Sequence, residues 1–276
     1  MAAALAASHA DAHAIAGDRV FPATLAVDDP GVGDEFDFQY GHQKVAGDNG
    51  DQSMNTFNFE WDKLITPRLA LSIAGGYALQ NNPAAHGFDN FDIGLKYLLY
   101  VNDPHEFMTS VGIDDNIANS GSRAIEDNFS TISPTFFAGK GFGDLPDSVA
   151  YLRPLALTTE IGPSFATGNG NPNAFNWAFT VQYSLPYLQQ HVHDIGLPQP
   201  FSNLIPIVEI PLSTSQGQTT GTINPGVIWI NRYGQFGIEA QIPVNHASGS
   251  HTGILLQAHL FFDDLAPTTI GRPLFQ

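Results

Sequence analysis

Apolar and polar side chains alternate along most of this chain. In "TFNFEWDKLITPRLALSIAGGY" (56–77), every second residue of 57–61 is aromatic and the residues between are polar. After a turn-like Thr-Pro-Arg at 66–68, the same period resumes over 69–77, where large apolar residues mostly alternate with small ones. A two-residue period is typical of β-strands, and two such runs around a short turn predict a β-hairpin.

The same period recurs as far as residue 263 and indicates twelve strands, beginning near residue 35. No amphipathic helix and no domain linker interrupts this pattern. The predicted connections alternate between long and short, except that 186–203 is long where a short one is expected. They lie at 41–53, 66–68, 80–90, 101–105, 114–128, 142–147, 163–174, 186–203, 213–221, 233–235 and 245–252.

Such alternation is typical of outer-membrane barrels, in which one end carries long loops and the other carries tight turns. The polar face favours the same fold because it is dominated by Gly, Ser, Ala, Thr, Asn and Gln, whereas a soluble exterior carries many Lys and Glu. The sequence therefore predicts an all-β fold, a closed antiparallel up-and-down membrane β-barrel of about twelve strands over residues 35–263. The alternative is a soluble periplasmic β protein whose aromatic face forms the core.

Composition narrows the range of partners. The chain has 27 acidic and 10 basic residues, and a net charge of -17 argues against binding to nucleic acid. It has no cysteine, which excludes disulfides and thiolate metal sites, and no apolar run reaches the roughly 18 residues of a spanning helix. The mean hydropathy of -0.07 is compatible with a membrane barrel. We expect the outer-membrane lipid bilayer and a small-molecule solute as partners, without a cofactor; the oligomeric state is left open.

Charged residues within the predicted strands fall mainly on the face that would line the lumen. Placing them in lipid would cost several kcal/mol each at mid-bilayer, so the lumenal side is the consistent one. They are candidates for selecting the solute, and the alternative is a structural ion-pair network that fills a closed lumen. The candidates are Glu60, Asp62, Asp92, Lys96, Arg153, Gln182, Glu209, Glu239, Gln241 and His259.

The two ends of the chain lie outside the predicted barrel. Residues 1–14 are Ala-rich and end in an A-x-A-like site, so we interpret them as the remnant of a signal peptide, with an Ala-rich tail as the alternative. Residues 15–34 are predicted to be a periplasmic lead-in and 264–276 a periplasmic tail. The insertion at 187–203 is expected to form a lid under the barrel, a contact for a periplasmic partner or a Pro-rich loop.

Four phrases in the sequence carry a resemblance to a known family. They are "RVFPATLAVDDPGVGDEF" (19–36), "FEWDKLITPRLALSI" (59–73), "NPGVIWINRYGQFGIEAQIPVN" (224–245) and "LFFDDLAPTTIGRPLF" (260–275). The chain resembles, over nearly its whole length, bacterial outer-membrane β-barrels labelled as transporters and related to porin-like proteins of phenol-degradation pathways. The resemblance implies a Gram-negative outer membrane and transport of small molecules. It carries over no substrate residues.

Three further motifs suggest chemistry, each with a plainer interpretation beside it. The acids of "DDPGVGDE" (28–35) could bind calcium, but their spacing does not fit an EF-hand and favours a solvated lead-in. His191 and His193 share one face of an extended segment but lack a third metal ligand. His246 and Ser248 could form a base–nucleophile pair of an outer-membrane phospholipase, although no residue that would orient the histidine is evident. No catalytic residue and no metal site is assigned.

The sequence therefore favours a non-enzymatic outer-membrane channel or transporter that passes small molecules, hydrophobic or aromatic compounds among them, through a narrow polar lumen. Because acids outnumber bases on the lumenal face, a preference for cations or neutral solutes is the hypothesis. The alternatives are a non-transporting barrel with a structural, adhesive or phospholipase-like role, and the soluble β protein.

Overall fold

The chain folds into a closed antiparallel barrel, seen in a computed structural model that describes residues 14–45 and 52–275. Twelve strands form the wall, and pairing of β4 with β5 closes it. A short strand, β6, continues the edge of β7 beside β5, and two others, β1 and β2, pair only with each other. The strands are β1 Ala14–Ala16, β2 Arg19–Phe21, β3 Glu35–Val45, β4 Gln52–Thr66, β5 Leu69–Gln80, β6 Ala85–Phe88, β7 Asp92–Asn102, β8 Phe107–Asn116, β9 Thr131–Gly141, β10 Leu155–Ala166, β11 Ala174–Tyr183, β12 Leu204–Ser215, β13 Gln218–Asn231, β14 Gly234–Pro243 and β15 Gly253–Phe261.

The outward face of the wall is apolar, as the two-residue period predicts. Phe57 and Trp61 are more than a third exposed, whereas Glu60 between them lines an internal cavity. The same division holds around the barrel, for example at Ile113 and its neighbour Asp114. A continuous apolar exterior of this extent is unfavourable in water and suits lipid. The predicted membrane barrel of about twelve strands is confirmed.

No helix in the described part of the chain is long and apolar enough to cross a membrane.

The two ends of the barrel differ, although less regularly than the sequence predicts. The short-turn end carries the tight turns at 67–68 and 232–233, the start of β3 and the end of β15. It also carries the long insertion between β11 and β12, where the sequence places it. The predicted long loop 213–221 is wrong: β12 and β13 extend to a two-residue turn at Gln216 and Gly217. Both turn residues have positive φ, 50° and 79°, as a tight hairpin requires.

The N-terminal segment occupies the lumen. Residues 14–33, called the plug here, begin with the β1–β2 hairpin and continue as an irregular stretch across the interior. Phe21 of the hairpin packs with Met108 and Ala156 of the wall, and Leu25 packs with a second cluster that includes Ile207. Full burial of one such side chain contributes about 1.5–3 kcal/mol. Most of the segment predicted as a periplasmic lead-in, 15–34, thus runs through the lumen, where both of these apolar side chains are buried.

A buried ion pair holds the base of the plug at the short-turn end. The guanidinium of Arg19, which is fully buried, donates from Nε to Glu106 Oε2 at 3.1 Å. It also lies 3.9 Å from the ring centroid of Tyr187, whose hydroxyl donates to Glu106 Oε1 at 2.7 Å. Burial and this hydrogen bond raise the pKa of Tyr187, so the phenol stays a donor. Tyr187 belongs to the insertion 184–203, and its contacts bring part of that insertion against the plug.

The C-terminal residues pack against the short-turn rim beside β4. Lys63, on the outward side of β4, forms an ion pair with Asp34 and donates to the carbonyl oxygens of Ile270 and Arg272 at 2.8 and 2.7 Å. The amide of Leu274 donates to Leu64 O at 3.1 Å. The tail thereby covers the charged side chain of Lys63, which would otherwise face lipid.

Asp263, in the short helix after β15, makes this rim sensitive to pH. Burial, together with nearby Asp34 and Glu35, raises the pKa of Asp263 to about 8, against about 4 in an unfolded chain. Between those values only the folded chain holds the proton, so the free energy of unfolding falls as the pH rises. From pH 6 to pH 8 we expect a loss of about 1–2 kcal/mol, measured by urea unfolding in micelles. In an Asp263→Asn variant the free energy of unfolding should change less with pH. Equal pH dependence in the variant and the native protein would contradict this.

Candidate functional site

The main cavity of about 260 Å³ lies in the lumen between the plug and one side of the wall. The plug contributes residues 23–29 and 31–33 to its lining, and strands β3, β4, β5, β7, β8, β9, β10 and β15 contribute the rest. The wall positions alternate with lipid-facing residues on the same strands, which is why polar side chains converge here. The polar side chains of the wall that line it are Glu35, Asp37, Gln39, Glu60, Asp62, Ser72, Lys96, Asp114, Glu160, Gln257 and His259.

Acidic groups dominate this cavity. Eight carboxylates line it, against one lysine and one histidine. The lysine is Lys96, whose ammonium donates to Asp28 Oδ2 at 2.7 Å and to the carbonyl oxygen of Asp29 in the plug. His259 lies between two acids, with Nε2 at 2.6 Å from Glu35 Oε2 and Nδ1 at 3.3 Å from Asp37 Oδ1. The remaining carboxylates leave a net negative potential in the cavity.

Glu209 of β12 fixes the plug on the far side of the lumen. Its carboxylate accepts hydrogen bonds from three successive plug amides: Leu25 at 3.0 Å, Ala26 at 3.1 and 3.2 Å, and Val27 at 2.9 Å. The side chain is fully buried. Hydrogen bonds to a charged group are stronger than neutral ones, so this contact is a strong polar attachment of the irregular stretch. Weaker attachments come from Glu160, which accepts from the Asp28 amide at 3.1 Å, and Gln39, which donates to Leu25 O at 2.9 Å.

Nine of the ten lumen candidates named from the sequence lie on the inward face of the wall. Of these, Glu60, Asp62, Lys96 and His259 line the main cavity, and Asp92 lines a smaller one nearer the long-loop end. The others are buried behind the plug or bonded along the wall: Gln182, Glu209, Glu239, which accepts from Asn224 at 2.7 Å, and Gln241, which accepts from Gln43 at 2.7 Å.

Arg153 is the exception, and its predicted lumenal position is wrong. It lies in the connection between β9 and β10, where Nε donates to Leu145 O and the guanidinium binds Asp147 at 2.7 Å. The sequence pattern predicts a strand across residue 153, between the connections at 142–147 and 163–174, whereas β10 begins at Leu155. The preceding residues form a short helical turn instead.

Several residues of the main cavity are not among the candidates that the sequence predicts. Glu35 and Asp37 follow the same alternation as Phe36 and Phe38, and Asp114 continues that of β8, so strand phase could have identified all three. Glu160 lies in a strand whose faces are less distinct in the sequence. Asp28 and Asp29 carry no such signal, because their place depends on the plug folding into the lumen.

The other candidate motifs do not form sites. In the described part of the chain no cluster of three or more His, Cys, Asp or Glu side chains has the arrangement of a metal site. His191 lies 3.6 Å from Asp18 rather than pairing with His193 around a common point. The Ser248 hydroxyl donates to Asn245 Oδ1 at 2.8 Å and accepts from the Gly221 amide at 2.9 Å, which is a loop-stabilising role.

Comparison with known proteins places this fold among outer-membrane barrels. No family model matches the chain, and no curated protein matches it. Among solved structures, the COG4313 outer membrane channel from Pseudomonas putida F1 aligns with a TM-score of 0.57 at 10% identity, covering 88% of this chain and 100% of that one. The KdgM porin, in complex with disordered oligogalacturonate, aligns with a TM-score of 0.51 at 11% identity, covering 82% and 99%. The β domain of the Bordetella autotransporter BrkA gives 0.50 at 11% identity, covering 83% and 99%.

At these identities the likeness establishes the fold. The alignment covers the whole chain of the COG4313 channel, which agrees with a closed wall of twelve strands in this protein. The matched proteins include channels and an autotransporter, so the function of this chain rests on its own lumen.

Proposed function

We propose that this protein is a channel of the Gram-negative outer membrane that passes small cationic or neutral polar molecules. The observation that carries the proposal is the acidic main cavity inside a closed barrel with an apolar exterior. Such a wall requires lipid around it, and a lumen lined by eight carboxylates concentrates cations and repels anions. Membership of the phenol-degradation porin-like group stays a prediction.

The plug sets the resting state of this channel. It crosses the lumen and is attached by Glu209 on one side and by Lys96 on the other. Passage of a solute then requires the irregular stretch 22–33 to move. A narrow twelve-stranded lumen, even when cleared, excludes large solutes.

The acidic lining argues against two solute classes. The KdgM structure holds an acidic oligosaccharide, whereas a lumen with eight carboxylates would repel such a ligand. Purely hydrophobic or aromatic compounds, which the sequence resemblance implies, would meet charged side chains on the wall of the main cavity. Cations and neutral polar molecules are the classes that this lining accommodates.

Ion selectivity tests the proposal directly. In planar bilayers with a KCl gradient, we expect the reversal potential to show K⁺ passing in preference to Cl⁻. A Glu60→Gln/Asp62→Asn variant should reduce the permeability ratio severalfold, because it removes two of the eight cavity carboxylates. An Asp144→Asn variant, which changes an exposed acid at the short-turn rim, is the matched control and should leave the ratio unchanged. Anion selectivity in the native protein would overturn the proposal.

The non-transporting alternative has less support. A phospholipase role needs a serine that a base can activate. In the part of the chain that the structure describes, the Ser248 hydroxyl donates to Asn245 and forms no hydrogen bond with His246. An adhesive or purely structural barrel does not require a carboxylate-lined cavity. Absence of any current across many reconstituted proteins, after release of the plug, would favour these roles.

A further inference from the structure

A group of buried polar side chains on the wall lacks hydrogen-bond partners in the closed structure, among the residues described. Thr158 of β10 and Thr180 and Gln182 of β11, called the polar trio here, are each at most 2% exposed. Their side-chain atoms Thr158 Oγ1, Thr180 Oγ1, Gln182 Oε1 and Gln182 Nε2 have no hydrogen-bond partner among the described residues. A buried polar group left unpaired costs about 1–3 kcal/mol. Four such atoms in one place are an unusual concentration.

The trio lies on the lumenal side and is covered by the plug. Thr158 and Thr180 are directly paired across β10 and β11, and Thr180 is paired with Glu209 across β11 and β12. Glu209 binds the plug amides, and Ala156, which is paired with Gln182, packs against the plug hairpin. Both neighbours of the trio therefore touch the plug. When the plug moves away, the trio becomes part of the open lumen.

The trio also faces the acidic wall. Strands β4 and β11 are six places apart in the closed ring of twelve, so they lie on opposite sides of the lumen. Strand β4 carries Glu60 and Asp62, which line the main cavity. A solute in the open channel would thus meet carboxylates on one side and hydroxyl and amide groups on the other. Glu160, two residues from Thr158 on β10, and Glu209, paired with Thr180, add to the negative charge.

We propose that the polar trio is a solute-recognition site of the open channel, and that its ligands are small organic cations that also carry hydroxyl or amide groups. The proposal rests on the channel function proposed above and adds a substrate class to it. The ammonium group binds the acidic wall, and the hydroxyl or amide groups exchange hydrogen bonds with the trio. Gln182 supplies both a donor and an acceptor, and the two threonines supply hydroxyls that act as either.

The test compares two cations of similar size in planar bilayers. N-methylglucamine carries an amine and several hydroxyls, whereas tetraethylammonium carries no hydroxyl. In the native protein we expect N-methylglucamine to be the more permeant of the two, from reversal potentials against K⁺. A Thr158→Val/Thr180→Val/Gln182→Leu variant should lose about fivefold of that preference, the equivalent of about one hydrogen bond. Its K⁺ over Cl⁻ selectivity should stay unchanged, because no charge is altered.

Two controls separate the possible causes. Thr159 is the outward neighbour of Thr158, and the Thr159 hydroxyl already donates to Ala178 O at 2.8 Å. Thr159→Val should therefore leave the preference for N-methylglucamine unchanged. Urea unfolding of the trio variant should show equal or greater stability, since it removes unpaired buried groups. A large loss of stability would show that the trio is structural and would overturn the inference.

The outcomes also distinguish the two proposals. The inference is overturned if the native channel is cation-selective but does not prefer N-methylglucamine over tetraethylammonium. It is also overturned if the trio variant keeps that preference. Either result leaves the channel function standing. A native protein that is anion-selective, or a Glu209→Ala variant that never conducts although its plug is released, overturns the channel function, and the inference falls with it.

Discussion

Replacing Glu209 with alanine is expected to open the channel. The carboxylate holds three consecutive plug amides, and alanine leaves them without an acceptor on the wall. Each hydrogen bond to a charged group is worth about 1.5–3 kcal/mol, so a loss of at least about 3 kcal/mol is expected for the plugged state. At 1.4 kcal/mol per factor of ten, the open fraction should rise more than roughly a hundredfold. Single-channel recording in planar bilayers measures this fraction directly.

A matched control uses the other carboxylate that contacts the plug. Glu160 accepts one plug amide, that of Asp28, and lies beside the open space of the main cavity. Glu160→Ala should therefore raise the open fraction far less than Glu209→Ala. Equal open fractions in the native protein and the Glu209 variant would show that the amide contacts do not keep the channel closed.

An arginine placed on the outward face at mid-strand is expected to destabilise the barrel strongly. Ile238 lies in the middle of β14 and is 46% exposed. In water, replacing such an exposed side chain would change stability little. In lipid, an arginine at the bilayer midplane costs about 2–4 kcal/mol. Urea unfolding of Ile238→Arg in lipid vesicles should show a loss of that size.

Depth provides the control for this experiment. Tyr233 is exposed in the turn between β13 and β14, at the short-turn end of the same hairpin. Tyr233→Arg places the same charge near the membrane–water interface, where the cost falls to about 0–1 kcal/mol. If the two variants lose the same stability, the outward face does not lie in lipid and the soluble interpretation gains support.

Strand phase was enough to predict most of the wall. The alternation around Trp61 places aromatic groups outside and Glu60 inside, and the structure agrees. This works because side-chain direction in a strand depends only on position along it. Strand limits are harder to predict. The pattern predicts a strand across Arg153, but β10 begins two residues later, and it predicts a loop around Gln216, where the structure has a hairpin. Polar strand ends beyond the membrane have the composition of loops.

The plug could not be predicted from local sequence. "DDPGVGDE" has the acids and glycines of a solvated turn, and its place in the lumen depends on partners more than sixty residues away, such as Lys96 and Glu160. Arg19 was likewise unassigned, because its partner Glu106 lies in a turn with no distinguishing pattern. The polar trio was recognised only in part, through Gln182, since unpaired atoms are a property of the packed structure.

The central claim, that ions pass through the lumen of this barrel once the plug has moved, can be tested with single cysteines. The chain has no native cysteine, so a charged thiol reagent reacts only where one is introduced. In the Glu209→Ala background, Asp114→Cys places a thiol on the wall of the main cavity, and Ile113→Cys places one on the outward face of the same strand. A cationic methanethiosulfonate reagent should change the current through the Asp114→Cys channel and leave the Ile113→Cys channel unaffected. An unchanged current at both positions, with labelling of Asp114→Cys confirmed by mass, would contradict passage through the lumen.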